Sequence, residues 1–177
     1  MEERDWILYP PRTMMEVFKC LPEGTWVEII DGALYIKPSM FLNANNVRTS
    51  LGFALYQFLE EEQISGELFF NHLDVYLDEH SNVVLPEISF SSNEIVKEDG
   101  IHGSPELTID IAADNEFVRR QNLKTAIYQK FLIKEFWFVN SDSKECKGFS
   151  FQDGTYAPLE TDFGKLKSVI LSHEFTF

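Results

Sequence analysis

The stretch LTIDIAA, residues 107 to 113, alternates side chains in the period of a β-strand. Leu107, Ile109 and Ile111 face one way, and Thr108, Asp110 and Ala112 face the other. Such a strand belongs in a core, yet its second face carries a carboxylate. The stretch VVLPEISF, residues 83 to 90, raises the same difficulty: Val83, Val84, Leu85, Ile88 and Phe90 suit a buried strand, but Pro86 and Glu87 interrupt it. Proline cannot donate to a sheet ladder, so it belongs at an edge, an end or a bulge. A carboxylate that is neither paired nor solvated is costly to bury. One such acid reads as an edge or a solvated face; two on consecutive core-like strands weaken that reading. Neighbouring carboxylates raise each other's pKa unless a cation joins them. Oxygen-only ligands suit Mg²⁺ or Mn²⁺.

The rest of the chain supplies the elements around these strands. In TMMEVFKCLPEG, Thr13 is an N-cap with Glu16 three residues later, Met14, Val17, Phe18 and Leu21 form one apolar side, and Pro22 and Gly24 stop the helix. TWVEIIDGALYIKP reads as a hairpin turning at Asp31-Gly32. Val47, Leu51, Leu55 and Leu59 recur every four residues, the signature of an amphipathic helix. GELFFNHLDVYLDE reads as a strand that turns at DEHSN into VVLPEISF, and a long helix is expected from about residue 115 to 134. EFWFVN, KGFSFQDG, YAPLE and VILSHEFTF supply later strands. Helix, hairpin, helix, strands, helix and strands make a mixed α/β layout, a central sheet flanked by helices.

No repeat, low-complexity tract or Pro/Gly/Ser-rich linker divides the 177 residues, so one domain spanning 1–177 is expected, with 1–12 as an extended lead-in. Fifteen basic against 29 acidic residues leave a net charge of −14. That balance disfavours a surface generally coated by nucleic acid, but not a small metal-lined cleft that accepts phosphates. Cys20 and Cys146 form no CxxC pair, and His72, His80, His102 and His173 show no ligand spacing, so neither a zinc site nor a disulfide framework is expected. With no signal-peptide pattern and no apolar run near about 18 residues, a cytoplasmic location is the expectation.

Fourteen residues beyond Asp110 lies Lys124, next to an apolar helical stripe of Leu123, Ala126, Ile127 and Phe131. A helix packed back on the sheet could aim its ammonium at the two acids. Spacing alone favours the simpler reading, a lysine snorkelling from the edge of an apolar face.

From about Met14 to Leu159 the chain resembles the Uma2 family, also called DUF820, of the restriction endonuclease-like PD-(D/E)xK superfamily. MMEVFKCLPEGTWVEIIDGALYIKPS is similar to the family's opening helix and E-L-I-D-G-E-L hairpin. LDVYLDEHSNVVLPEISF resembles its strand pair ending in P-D. GSPELTIDIAADNEFVRRQNLKTAIYQKFLIKEFWFVNSD resembles the run from G-x-P-D-L through a helical lysine to E-Y-W-I-V-D. The resemblance implies a restriction endonuclease-like fold and Mg²⁺- or Mn²⁺-assisted hydrolysis of phosphodiester bonds in DNA. It implies that Glu87 and Asp110 hold the cation with the Ile111 carbonyl, and that Lys124, with Tyr128 following as in the family, orients the attacking water. It gives Glu28 an auxiliary role; by itself Glu28 reads equally well as a solvated hairpin residue.

The chain also departs from the family pattern. The acids are exchanged, Glu87 for Asp and Asp110 for Glu, Ala113 replaces a serine, Arg120 replaces an acid, and FLNANNV lacks a histidine. Arg119, Arg120, Lys124 and Arg48 are the basic residues expected near the cleft. Two functions therefore stand: a metal-dependent DNA endonuclease, or an inactive member of the fold acting as a homodimeric binding or assembly module.

Overall fold

The computed structural model describes residues 10–22, 24–37, 42–70 and 73–177. Trp6, His72 and most of the extended lead-in lie outside the described residues. Helix α1 (Met14–Lys19) starts on the expected capping box: the Glu16 amide donates to Thr13 Oγ1 at 3.1 Å and the Thr13 amide to the Glu16 carboxylate at 3.2 Å. Strands β1 (Val27–Ile30) and β2 (Ala33–Ile36) are joined by Asp31 and Gly32 at φ 48° and 76°, the left-handed pair a type I′ turn requires. Helix α2 (Leu42–Glu61) buries Val47, Leu51, Leu55 and Leu59 and turns Phe53 and Tyr56 outward.

The run expected as one strand from residue 67 divides. Its first part, β3 (Glu67–Phe69), and its second, β4 (Val75–Tyr76), belong to different sheets. VVLPEISF divides likewise into β5 (Val83–Val84) and β6 (Ile88–Ser91), with Pro86 and Glu87 in the passage from one sheet to the other. Proline is free to stand there because neither ladder runs through it. Short strands β7 (Val96–Lys97) and β8 (Gly100–His102) follow, then β9 (Leu107–Ala112), α3 (Asp114–Lys130) and β10 (Glu135–Asn140). The chain closes with β11 (Glu145–Gln152), β12 (Thr155–Pro158), β13 (Asp162–Phe163), β14 (Lys165–Ser168) and β15 (His173–Thr176).

Two larger sheets result. One runs β2-β1-β5-β4-β8-β7; the other runs β12-β11-β10-β9-β6-β3, with β13 also on β11, while β14 and β15 form a separate hairpin. In the second sheet β9 and β10 are parallel, connected through α3, and their neighbours are antiparallel. One face of that sheet, with Ile109, Ile111 and Trp137, packs against α2 and the C-terminal hairpin. The other, with Phe136 and Phe138, meets α3 and the first sheet. The layout is mixed α/β as expected: the second sheet is the central mixed sheet, with α2 on one face and α3 on the other, and a further sheet and a hairpin are added to it.

Helix α3 stops at Lys130, earlier than periodicity suggested. Leu132 adopts a left-handed φ of 55°, Ile133 N donates back to Tyr128 O, and Ser104 Oγ donates to Phe131 O at 2.5 Å. These bonds satisfy the last carbonyls of the helix.

On β11, Gly148 faces Trp137 across the ladder, and a Cβ there would stand 2.5 Å from the indole Cδ2. The ring fills the place of the missing side chain. Gly148→Ala should therefore destabilise the domain by about 1–3 kcal/mol through overpacking, measured as a lower urea midpoint. An unchanged midpoint would show that the indole can move aside.

Candidate active site

The acids expected to meet do so on the α3 face of the second sheet. Glu87 is placed by a 3.1 Å bond from its amide to Ile109 O, which sets it beside Asp110 on β9. Glu28 enters from β1 of the facing sheet, and Lys37 from just beyond β2. Arg120 and Lys124 lie four residues apart on α3, hence on one face of the helix. All six side chains are buried among apolar elements. Three carboxyl groups thus face three basic groups in one enclosed space.

Every contact has a donor and an acceptor. Lys124 Nζ bridges Asp110 Oδ1 and Glu28 Oε1, the latter at 2.5 Å, and Leu85 N donates to the same Glu28 oxygen at 2.8 Å. Tyr128 Oη donates to Asp110 Oδ2 at 2.5 Å. Glu87 Oε1 accepts from Lys37 Nζ and from Arg120 Nη1, both at 2.9 Å, while Glu87 Oε2 accepts from Ile111 N at 2.8 Å. Arg120 Nη1 also reaches Ile111 O at 3.4 Å, and Lys37 Nζ donates to Leu85 O.

The charges shift one another accordingly. Burial raises the Glu87 carboxyl, but Lys37, Arg120 and Lys124 outweigh it and bring its pKa down to about 2. Burial works against ionised Glu28 too, and Lys124 and Lys37 overcome it, so Glu28 lies below its ordinary range. Asp110 goes the other way. Burial, with the nearby Glu87 and Glu28, keeps it above its ordinary range despite Lys124. Burial lowers Lys37, with Glu87 opposing, whereas in Lys124 the attraction of Asp110 and Glu28 exceeds burial and raises the pKa. Burial beside Asp110 pushes the Tyr128 phenol well up.

This arrangement can be tested against a divalent cation. The donor set implied for it, Glu87, Asp110 and the Ile111 carbonyl, is all oxygen and of the right kind for Mg²⁺. Each of those oxygens, however, already accepts from a group of the chain: Lys37 and Arg120 on Glu87 Oε1, Ile111 N on Oε2, Lys124 and Tyr128 on Asp110, Arg120 on Ile111 O. Three basic groups balance three carboxyl groups, leaving no local negative charge for an ion to neutralise. As arranged, these residues do not fit a divalent metal.

The structure thus brings Glu87, Asp110, Lys124, Glu28 and the Ile111 backbone together. Lys124 does not snorkel; at 0% exposure it is the centre of the buried face of α3, while Ala126, assigned to that stripe by sequence, is exposed. Glu28 is buried and paired, not solvated. Arg119 and Arg120 separate: Arg119 is exposed and pairs with Glu116, and Arg120 turns inward to Glu87. Arg48 bonds Asn45 on α2. Lys37 was not anticipated, because a lysine at the end of a hairpin before Pro38 carries no local mark of burial.

A mixed sheet between helices, with a parallel strand–helix–strand unit and clustered acids and lysine beside it, is the arrangement of a restriction endonuclease-like domain. The crystal structure of "a putative nuclease belonging to DUF820" from Anabaena variabilis has the same fold, with a TM-score of 0.71, 18% identity and 92% of each chain covered. The chain belongs to the Uma2 family, described as "Putative restriction endonuclease", whose profile matches residues 15–176. No curated protein matches it. Among the described residues, no helix is long and apolar enough to cross a membrane.

Proposed function

We propose that this nuclease-family domain does not hydrolyse phosphodiesters in its native form and acts as a binding module that pairs with a second copy of itself. The observation that carries the proposal is the closed hydrogen bonding of the acids. Metal-assisted hydrolysis needs open coordination positions and a route for the phosphate. Here the chain's own donors hold the acids, and all six charged side chains are buried. Self-association is supported by the outer face of α2. Between Leu42 and Phe58 it carries one charged residue, Arg48, and exposes Phe53 and Tyr56, in a chain whose charge of −14 disfavours a polyanionic partner. The free thiols of Cys20 and Cys146 fit a reducing, cytoplasmic setting.

Supercoiled plasmid incubated with the protein and millimolar Mg²⁺ or Mn²⁺ should stay intact, and light scattering should give twice the chain mass. Nicking by the wild type that disappears in Asp110→Asn would overturn the proposal. That result would establish the second reading, a Mg²⁺- or Mn²⁺-dependent DNA endonuclease. Its support is that Glu87, Asp110 and Lys124 lie within one buried cluster.

A further inference from the structure

We infer that Arg120 is the resident cation of this centre, built into the chain in the place a divalent ion would take, and that replacing this residue with an acid creates a divalent-metal site. The inference rests on the hydrolytically silent reading above.

Three observations single out Arg120 among the three basic groups. First, its Nη1 meets two members of the implied donor set together, Glu87 Oε1 at 2.9 Å and the Ile111 carbonyl at 3.4 Å. A metal bound by this donor set would make the same pair of contacts. Lys37 also meets Glu87 Oε1, at 2.9 Å, but the carbonyl it bonds is Leu85 O, outside that donor set, and Lys124 bridges Glu28 and Asp110. Second, its side chain is the least enclosed, 9% exposed against 2% for Lys37 and 0% for Lys124, so its removal opens the cluster toward water. An ion that keeps part of its hydration shell needs such an opening. Third, the charge count is suited to the exchange. With Arg120 the cluster has three basic and three acidic members. Arg120→Asp leaves two basic groups against four acids, a deficit of two that a divalent ion neutralises.

The substituted site would be octahedral in type and all oxygen, so Mg²⁺ and Mn²⁺ are the ions it would take. Arg120→Ala removes the guanidinium without adding an acid and should bind more weakly.

The test uses the full chain and Mn²⁺ alone, with binding followed by isothermal titration and by the loss of the free-ion electron spin resonance signal. Arg120→Asp should bind Mn²⁺ at least tenfold more tightly than the wild type. Adding Asp110→Asn to Arg120→Asp should abolish the gain, which locates the ion. Should Arg120→Asp fold only when Mn²⁺ is present, seen by circular dichroism, that too supports the inference, since binding energy is then folding energy. Wild type binding as tightly as Arg120→Asp would overturn it. So would an Arg120→Asp chain that fails to fold with or without Mn²⁺, together with an Arg120→Ala chain that folds and binds no better than wild type. A silent wild type beside a non-binding Arg120→Asp defeats only this inference; plasmid cleavage by the wild type defeats the functional reading instead.

Discussion

Glu87→Gln should destabilise the domain by about 3–5 kcal/mol at neutral pH, the range found when one partner of a buried ion pair is removed. For a domain of this size that lowers the melting temperature by on the order of 10 °C. Shape is nearly conserved, so the loss comes from charge and from hydrogen-bond direction. Glu87 accepts at both ends, from Lys37 and Arg120 on Oε1 and from Ile111 N on Oε2. A glutamine must set its NH₂ against one of those donors, and whichever end it chooses, buried donors are left facing each other. Urea unfolding at pH 7 measures the effect. The pH dependence follows from the pKa of about 2, below the ordinary 4.5. A depressed carboxyl contributes stability that is complete above about 4.5 and lost as pH falls toward about 2. Wild type and Glu87→Gln should therefore converge over that window. A loss below about 1 kcal/mol at pH 7 would mean that the cluster is hydrated and relaxed in solution.

Lys124→Met should cost a similar amount, about 3–5 kcal/mol at pH 7.5, but with the opposite response to acid. Methionine keeps the stem and removes the ammonium that joins Glu28 to Asp110. The two carboxyl groups then share a buried space with no cation between them, and the pKa of Asp110, already raised, rises further with that of Glu28. A carboxyl whose folded pKa is raised binds protons more readily in the native state, so lowering the pH stabilises the fold. Urea midpoints for Lys124→Met should climb from pH 7.5 to pH 5, a range in which Glu87 still carries its charge. Equal midpoints at the two pH values would show that Glu28 and Asp110 do not interact. The paired variants thus separate two halves of one cluster, one anchored on Glu87 and the other on Lys124.

Much of this was legible in the sequence for a local reason. Thr13 with Glu16, Asp31-Gly32 and the four-residue spacing of α2 each specify their element through contacts within a few residues. The interruptions in apolar strands marked Glu87 and Asp110 because an acid in such a place needs a partner. The same reasoning applies to Glu135 in EFWFVN, which sequence passed over. It is fully buried and accepts from Trp137 Nε1 at 2.7 Å and from Val169 N and Ile170 N at 2.8 and 3.0 Å, pinning the C-terminal hairpin to β10. An acid inside an apolar, buried strand therefore marks a buried partner, and whether that partner serves chemistry or architecture is decided elsewhere in the chain. Lys37 and the inward turn of Arg120 belong to that remote information. Their partner is 50 and 33 residues away in sequence, across the passage between sheets, where periodicity carries no signal. The early stop of α3 at Lys130 was hidden for a related reason, since its seal includes Ser104 from outside the helix.

The cluster is assembled from distant parts of the chain: the nearest ionic partners, Asp110 and Lys124, are 14 residues apart, and Glu87 and Arg120 are 33 apart. The pairs of longest separation, Glu28 with Lys124 and Lys37 with Glu87, form only once long loops have closed, and loop closure must be met before such contacts repay it. Contacts of such long separation are expected to form late, after the transition state. Interactions absent from the transition state act on escape from the native state and leave its formation rate nearly untouched. The loss in Glu87→Gln then belongs to the unfolding arm of a chevron plot. In kinetic terms the charges work as a latch, setting how long the domain stays folded once the door has shut.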